Sequence, residues 1–526
     1  MPVNVGGTII VPVDGASNIK LEVLDFDTLE TLYSAGAPTP VAELNGLKYN
    51  DCLKQFTWYE TVIAALPPEL RRVCRVIAPA ARGASGALIG RDNSLCEEPG
   101  AGLALSYGQA YPESVEAAFR ELAGSADDFF RQTGSVRDYP GSLTLLKRFL
   151  FEEMVRPQVL ARAHCFAAWG VLIGGHFLGP DYRAAVRAAG NEHSYWMCHS
   201  GARDVAAAPG TPSAAARKLE AFGRLVPETP AVVYRPLGQA PAAQAARLGL
   251  PGNVLVTPGG HDTCLSHLPL NAALGASCGA IHLEAGSWTM AALAGAVTAL
   301  PADGWRRGLI VQGTLDGAPV VTSMYGGGRD FRYLESLHGA GAFGGRGKDS
   351  ADALERVLRA QDCFVLPGVS PENRGTGPFP SLDGKIVNRG AFLADIAGAH
   401  ALASLATALT ALFQVRMLCP EAETPIILTG GGSRDPHLGP VLASLAGCPV
   451  YSLRGRGGEA VSETTTLGAA LVGKAAVLGV HPQGLCPPGL SLARFEPLPA
   501  RLETAAQEYR GLWERELERA LADSAD

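Results

Sequence analysis

The chain has 526 residues, of which 47% are hydrophobic and 18% charged. It is therefore globular in composition, long enough for about two to four domains, and not disordered throughout. Its 44 Lys and Arg against 51 Asp and Glu give a formal charge of −7 with no basic stripe, which argues against a nucleic-acid binder. Glycine is in excess, 63 residues or about 12% where ~7% is usual; the absence of a G-x-y period excludes collagen and leaves tight turns and close backbone approach to a ligand.

In chain order, Thr8 to Val13 reads as a strand, Asp14-Gly15-Ala16-Ser17 as a turn, and Ile19 to Phe26 as the returning strand of a hairpin. A strand is predicted over Val73 to Ala78, followed by small residues around Arg82-Gly83-Ala84. Helices are predicted over Ser114 to Leu122, Leu143 to Val155 and Pro157 to Ala168, the last with proline at its start. Asn253 to Thr257 reads as a strand closed by Pro258-Gly259-Gly260. The pattern then begins again. Ala280 to Glu284 is a strand leading into Gly286-Ser287-Trp288, and Leu309 to Gln312 and Val320 to Ser323 flank a turn at Asp316-Gly317. A long helix over Leu393 to Leu418 precedes a strand over Pro425 to Thr429 and the block Gly430-Gly431-Gly432. Leu438 to Ala446 (helix), Pro449 to Leu453 (strand) and Val461 to Leu478 (helix) complete an α/β pattern. Ala500 to Ala522 has helical apolar spacing and reads as a docked amphipathic helix.

The expected division is residues 1–270, 271–490 and a helical tail over 491–526, with a ligand cleft between the two larger parts. Eleven cysteines without a C-x-x-C pair disfavour a zinc ribbon or a disulfide framework and fit a reducing cytoplasm. The N-terminus lacks the pattern of a signal peptide. The longest apolar stretch, Ala401 to Phe413, is short and interrupted by hydroxyl residues, so no membrane span is expected.

Several blocks carry candidate chemistry. Gly259-Gly260-His261-Asp262-Thr263 places a carboxylate at the end of a strand, where α/β folds hold ligands; Asp262 suits a general base, and capping of the next helix is the competing reading. Thr429-Gly430-Gly431-Gly432-Ser433-Arg434-Asp435 offers backbone N–H groups to an anion or nucleotide, or is a plain turn; it is not a P-loop, since no Gly-Lys-Ser/Thr follows. The hairpin turn Asp14 to Lys20 can cradle phosphate through its amides, or is a simple Asp-Gly hairpin. Gly286-Ser287-Trp288 is a weak signal alone. No metal-ligand spacing is evident, and His261 and His199 are the histidines that adjoin turns.

Taken together and in order, these blocks resemble the FGGY carbohydrate kinases, on their rhamnulokinase and fuculokinase side, over roughly residues 8 to 480. The residues that carry the resemblance are Gly15-Ala16-Ser17-Asn18-Ile19-Lys20, Arg82-Gly83-Ala84, Cys198-His199, His261-Asp262-Thr263, Gly286-Ser287-Trp288, Gly326-Gly327-Gly328-Arg329-Asp330-Phe331, Gly377-Pro378-Phe379-Pro380 and Leu467-Gly468-Ala469-Ala470. The resemblance implies two actin-like (RNase H-like) ATPase domains with a cleft between them. It implies ATP-dependent phosphorylation of a sugar hydroxyl, with Asp262 as the base and Gly83, Arg82, His261, Thr263 and His199 on the sugar. ATP would meet Asp14, Gly15, Ser17, Asn18 and Lys20 at its phosphates, Ser287 beside them, and Gly430, Gly431, Gly432 and Asp435 at its adenosine end. Mg²⁺ would bridge the phosphates, with Asp14 as its protein carboxylate. Small-molecule sugar is the implied partner, and dimers are common in that family.

The hairpin departs from the family pattern D-x-G-x-T-N-x-K. Counted back from Lys20, the aspartate position is Val13, and the carboxylate is Asp14 instead. Pro12 stands in what should be a central strand. Either the turn is one residue shorter and Asp14 substitutes, or the phosphate–magnesium site is damaged and the chain is a catalytically impaired sensor or scaffold; in a strand, a one-residue shift reverses the face of a side chain. Arg82 stands where the subgroup often has histidine, which leaves the sugar open.

Overall fold

The computed structural model describes residues 6–523 except 93, 99, 140, 142–143, 180–200, 208–209, 227–231, 275–278, 295–299, 301–302, 345–348, 374–376, 380–381, 421–422 and 462. Two sheets of the same plan organise the chain. In the N-terminal sheet, Thr8–Asp14, Asn18–Asp25 and Thr31–Pro38 form an antiparallel meander. The first strand also runs parallel to Cys74–Ile77, which runs parallel to Leu255–Val256. In the C-terminal sheet, Ile281–Ala285, Thr289–Ala294, Pro319–Tyr325 and Leu309–Gly313 are successive antiparallel neighbours. There too the first strand runs parallel to Ile426–Thr429, which runs parallel to Val450–Arg454. Ile281–Ala285 is thus the counterpart of Thr8–Asp14.

The α/β reading and the twofold repetition hold. Some predicted bounds change. The helix begun at Pro157 ends at Arg162, and Ala163–Ala168 is a strand antiparallel to Gly86–Gly90. The alanines there favour a helix locally, but Gly86 leaves room for Phe166 to cross closely. A Cβ at Gly86 would lie 2.2 Å from that ring. The long C-terminal helix starts at Ile396, because Asp395 breaks from a short preceding helix, Arg389–Ala394, and caps the N–H of Ala397. The helix expected from Val461 starts at Thr464.

Pro12 is accommodated by the pairing pattern. Gly15 N–H donates to Asn18 O, so alternate pairs back from the turn are bonded and Pro12–Leu21 is a non-bonded pair; the missing N–H faces the parallel side. There the strand pairs with Cys74–Ile77 only through Ile10 and with Ala80–Ala81 only from Val13, so Pro12 falls in the gap.

Helices lie between and outside the sheets. Ile396–Leu418 is buried in the C-terminal core; it is the one helix among the described residues long and apolar enough to cross a membrane. Thr464–Leu478 packs on Asp262–Leu274 and carries Leu467, Ala470, Leu471 and Val472 into a cluster with Ile9, Val11, Val76 and Leu265. This helix pair backs the first strand of each sheet. The tail helix Ala500–Asp523 buries Leu502, Tyr509, Trp513 and Leu517 in the C-terminal core, where Tyr509 Oη donates to Cys363 O and Trp513 Nε1 donates to Val365 O, both at 2.8 Å.

Candidate active site

At the end of the first strand, Asp14 is fully buried. Its Oδ1 accepts from Gln55 Nε2 at 2.8 Å and its Oδ2 lies 3.0 Å from Arg82 Nε. Arg82 also donates to Gly15 O at 3.1 Å and to Asn50 Oδ1 at 2.8 Å, and its guanidinium lies 5.5 Å from the Trp169 ring. Burial raises the Asp14 pKa, against the lowering effects of Arg82 and Gln55. Asp14 lies on the face of Ile10 and Ile19, which belong to the core of helix Cys52–Ala65. Val13 lies on the opposite face and packs with Ile9 and Val11 toward the Thr464–Leu478 helix. On that face Lys20, paired with Val13 across the hairpin, forms an ion pair with Glu463 at 2.8 Å. Ser17 and Asn18 stand exposed at the hairpin tip.

Asp262 arrives beside Arg82 through a short parallel pairing of Gly260–His261 with Ala80–Ala81. Gly259 makes the turn at φ +74°, and a Cβ there would press within 3.1 Å of Gly170 Cα. Asp262 begins helix Asp262–Leu274, and its Oδ1 accepts from Thr263 N–H at 2.7 Å, so one carboxylate oxygen is engaged at the helix start, in keeping with the capping reading. A third of its side-chain surface (34%) stays open. The surrounding protein still excludes enough water that burial, opposed by the Thr263 hydrogen bonds and Arg82, pushes its pKa up to about 6. His261 is buried, with Nδ1 3.2 Å from Cys264 Sγ and Nε2 3.1 Å from Asp262 Oδ1. Burial lowers its pKa to about 3, which favours the neutral ring beside Asp262. Gly83 is half-buried next to Arg82.

In the C-terminal half opens a cavity of about 900 Å³ whose walls include Gly286, Ser287, Phe331, Phe343, His400 and Gly431. The three consecutive glycines divide their work. Gly430 (φ +75°) and Gly432 pack against Ala285, where a Cβ would lie 2.8 Å from its backbone O and 2.6 Å from its Cβ; Gly431 has open space before it and faces the cavity. Asp435 accepts from the N–H groups of His437 and Leu438 at 2.9 and 2.8 Å, and its Oδ2 meets His400 Nε2 at 2.9 Å and Ser404 Oγ at 3.0 Å. Burial raises its pKa, but His400 and these N–H groups outweigh burial and hold the group below its usual value. Arg332 reaches Ser287 Oγ at 3.5 Å.

Residues 283–478 match the family model described as the C-terminal domain of the FGGY carbohydrate kinases. The whole chain superposes on a carbohydrate kinase from Novosphingobium aromaticivorans at 25% identity, covering 98% of this chain and 99% of that one, with a TM-score of 0.76. Residues 283–478 thus carry an FGGY C-terminal domain, and the chain as a whole has the fold of a carbohydrate kinase. A xylulose kinase from Lactobacillus acidophilus (13% identity, 98% of each chain, TM-score 0.75) and a Plasmodium falciparum glycerol kinase with ADP (12%, 98% of each chain, 0.74) share its fold. No curated protein matches the sequence.

The residues singled out by sequence fall into two groups along the chain: Asp14, Gly15, Arg82, Gly83, His261, Asp262 and Thr263 in the N-terminal half, and Ser287, Gly430, Gly431, Gly432 and Asp435 in the C-terminal half. Lys20 touches both halves through Glu463. His199, with Cys198, lies outside the described residues. Sequence reasoning missed Gln55, Asn50 and Trp169 around Asp14, and Phe331, Phe343, His400 and Ser404 around the cavity. It also missed Glu284, the penultimate residue of Ile281–Ala285, which makes no hydrogen bond or ion pair among the described residues. Its pKa is pushed up to about 7 by burial and then by the charges of Asp262 and Glu463.

A nucleotide-bound Mg²⁺ takes one or two carboxylates, with phosphate oxygens and water completing its shell. Asp14 does not supply one, because both its oxygens face Arg82 and Gln55. Asp262 and Glu284 do fit the demand as to donor type. Among the described residues no three His, Cys, Asp or Glu side chains converge on one point.

Proposed function

We propose that the kinase transfers the γ-phosphoryl group of ATP to a hydroxyl of a ketose or polyol, L-fuculose or L-rhamnulose being the expected kind, with Asp262 as general base. The observation that carries this reading is Asp262 itself: a carboxylate partly open to the cleft, oriented by Thr263 N–H, with a pKa of about 6 that leaves it ionised near neutrality yet basic enough to take a hydroxyl proton. Neutral His261 keeps the carboxylate in place without competing for its charge. Arg82, tied to Gly15 O and Asp14, holds the phosphate hairpin against the sugar side of the cleft. The cavity at Gly286, Ser287 and Gly431 would receive the nucleotide, with Lys20 at its phosphates. Phosphoryl transfer depends on such positioning and charge neutralisation more than on covalent help, and Mg²⁺, when bound, supplies neutralisation of the phosphate charge.

The test is an ADP-release screen over ketoses, polyols and sugar acids. Turnover with one class is expected, and Asp262→Asn should lower it by ~10²–10⁴-fold, the usual worth of a general base. Full sugar-dependent turnover in Asp262→Asn would overturn the assignment. A second reading, a binding relative without turnover, is favoured by one observation, Val13 standing where the family pattern has the hairpin aspartate; it predicts ligand-induced thermal shifts with no ADP release from any substrate.

A further inference from the structure

The repeated sheet plan makes the two halves comparable residue by residue. Each first strand runs into a glycine, Gly15 in one half and Gly286 in the other. The residue immediately before the glycine is Asp14 in the first half and Ala285 in the second, and the residue two before it is Val13 or Glu284. Side chains alternate along a strand, so Val13 and Glu284 occupy the same face of their sheets. In the first half that face looks at helix Thr464–Leu478, and in the second it looks at helix Asp262–Leu274. There His282, on the same face as Glu284, packs its ring 4.6 Å from that of His267. Met290 stands directly opposite Glu284 in the antiparallel pair, and its Sδ lies 4.0 Å from Thr263 Oγ1. Glu284 therefore lies on the sheet face turned toward the start of the Asp262 helix, and its Oε1 lies 3.7 Å from where a Cβ of Gly286, at the rim of the cavity, would stand.

We infer that Glu284 is the carboxylate that holds the divalent cation of the bound nucleotide, taking from the C-terminal half the role that Val13 leaves vacant in the N-terminal hairpin. The inference rests on the kinase reading. Its grounds are the equivalence of Val13 and Glu284, the lack of any protein partner for Glu284, its place between Asp262 and the turn that borders the cavity, and the closure of Asp14 by Arg82 and Gln55. A carboxylate held among like charges and without a cationic partner is an unfavourable arrangement in the empty protein. A divalent cation removes that repulsion.

The test measures ATP binding by calorimetry with and without Mg²⁺, and the electron paramagnetic resonance of Mn²⁺ added with ATP. Wild-type protein is expected to bind ATP more tightly with Mg²⁺. Glu284→Gln should lose at least tenfold of that tightening while binding metal-free ATP as well as before, and Mn²⁺·ATP should give the spectrum of the free complex. Asp14→Asn should keep the tightening. Adding Val13→Asp to Glu284→Gln should restore part of it, which a merely misfolded variant would not show. Tightening retained within twofold in Glu284→Gln, or abolished by Asp14→Asn alone, overturns the inference and leaves the kinase reading standing. A wild-type protein that binds ATP under neither condition overturns both.

Discussion

At the scale of single residues, Asp14 and Arg82 work as a structural pair. Both are buried, with side-chain exposures of 0% and 7%; Gln55 donates to Asp14 Oδ1 and Arg82 donates to Asn50 Oδ1. Removing one partner of such a pair leaves an uncompensated charge and costs about 3–5 kcal/mol. Arg82→Met is therefore expected to lower unfolding free energy by about that amount in urea titration; a change under about 1 kcal/mol would mean the pair is not formed in solution. Asp262 gives the pH dependence. The proposed base works only when ionised, so under that proposal kcat/KM should fall as pH drops through about 6 with a slope of one proton, and the acid limb should vanish in Asp262→Asn. A limb near the ordinary carboxylate pKa would show that burial does not tune this group.

At the scale of elements, the helix pair Asp262–Leu274 and Thr464–Leu478 fixes where the base stands. The two cross at Gly468, where a Cβ would fall 2.0 Å from Leu265 O, a backbone atom that cannot step aside. Thr465 Oγ1 donates to Asp262 O at 3.3 Å one turn earlier. Gly468→Ala should push the helices apart, costing about 1–3 kcal/mol as overpacking does, and should lower kcat more than it raises KM for sugar, because the base moves while much of the pocket stays. A variant with wild-type kcat would disconnect the crossing from the base. Asp262 was legible in sequence because strand, glycines, carboxylate and helix are contiguous there. Gln55 was not, because it sits on another helix and meets Asp14 only through the fold. The same distinction explains the strand Ala163–Ala168. Its alanines speak locally for helix, and only the distant Gly86 makes the pairing possible. Of the glycine block Gly430–Gly432 that the sequence singled out, Gly430 and Gly432 serve close packing and only Gly431 faces open space, a division that no single sequence can display.

At the scale of the whole molecule, the halves are tied by an element that crosses between them. Helix Thr464–Leu478 follows the C-terminal sheet in the chain, but Gly473 lets it rest on Ile9, Val76 and Ala78 of the N-terminal sheet. Lys474 adds a hydrogen bond to Asp27 O, and Arg203 donates to Gly317 O across the halves. The tail helix stabilises the other end of this arrangement. Trp513, 2% exposed, fills the C-terminal core and donates to Val365 O. Trp513→Ala should cost about 3–5 kcal/mol, the usual range for a buried aromatic. Where that loss is felt depends on the crossing helix. Thr464–Leu478 is joined through the chain to strand Val450–Arg454 of the C-terminal sheet, so opening that sheet should pull on the helix that covers Ile9 and Val11, and the two halves should open together rather than as separate units. Hydrogen exchange in Trp513→Ala is therefore expected to speed up in strand Thr8–Asp14 in step with Ile426–Thr429, although Trp513 belongs to the C-terminal core. Faster exchange confined to the C-terminal sheet would show instead that the halves fold independently, and that cleft closure must come from the ligands alone.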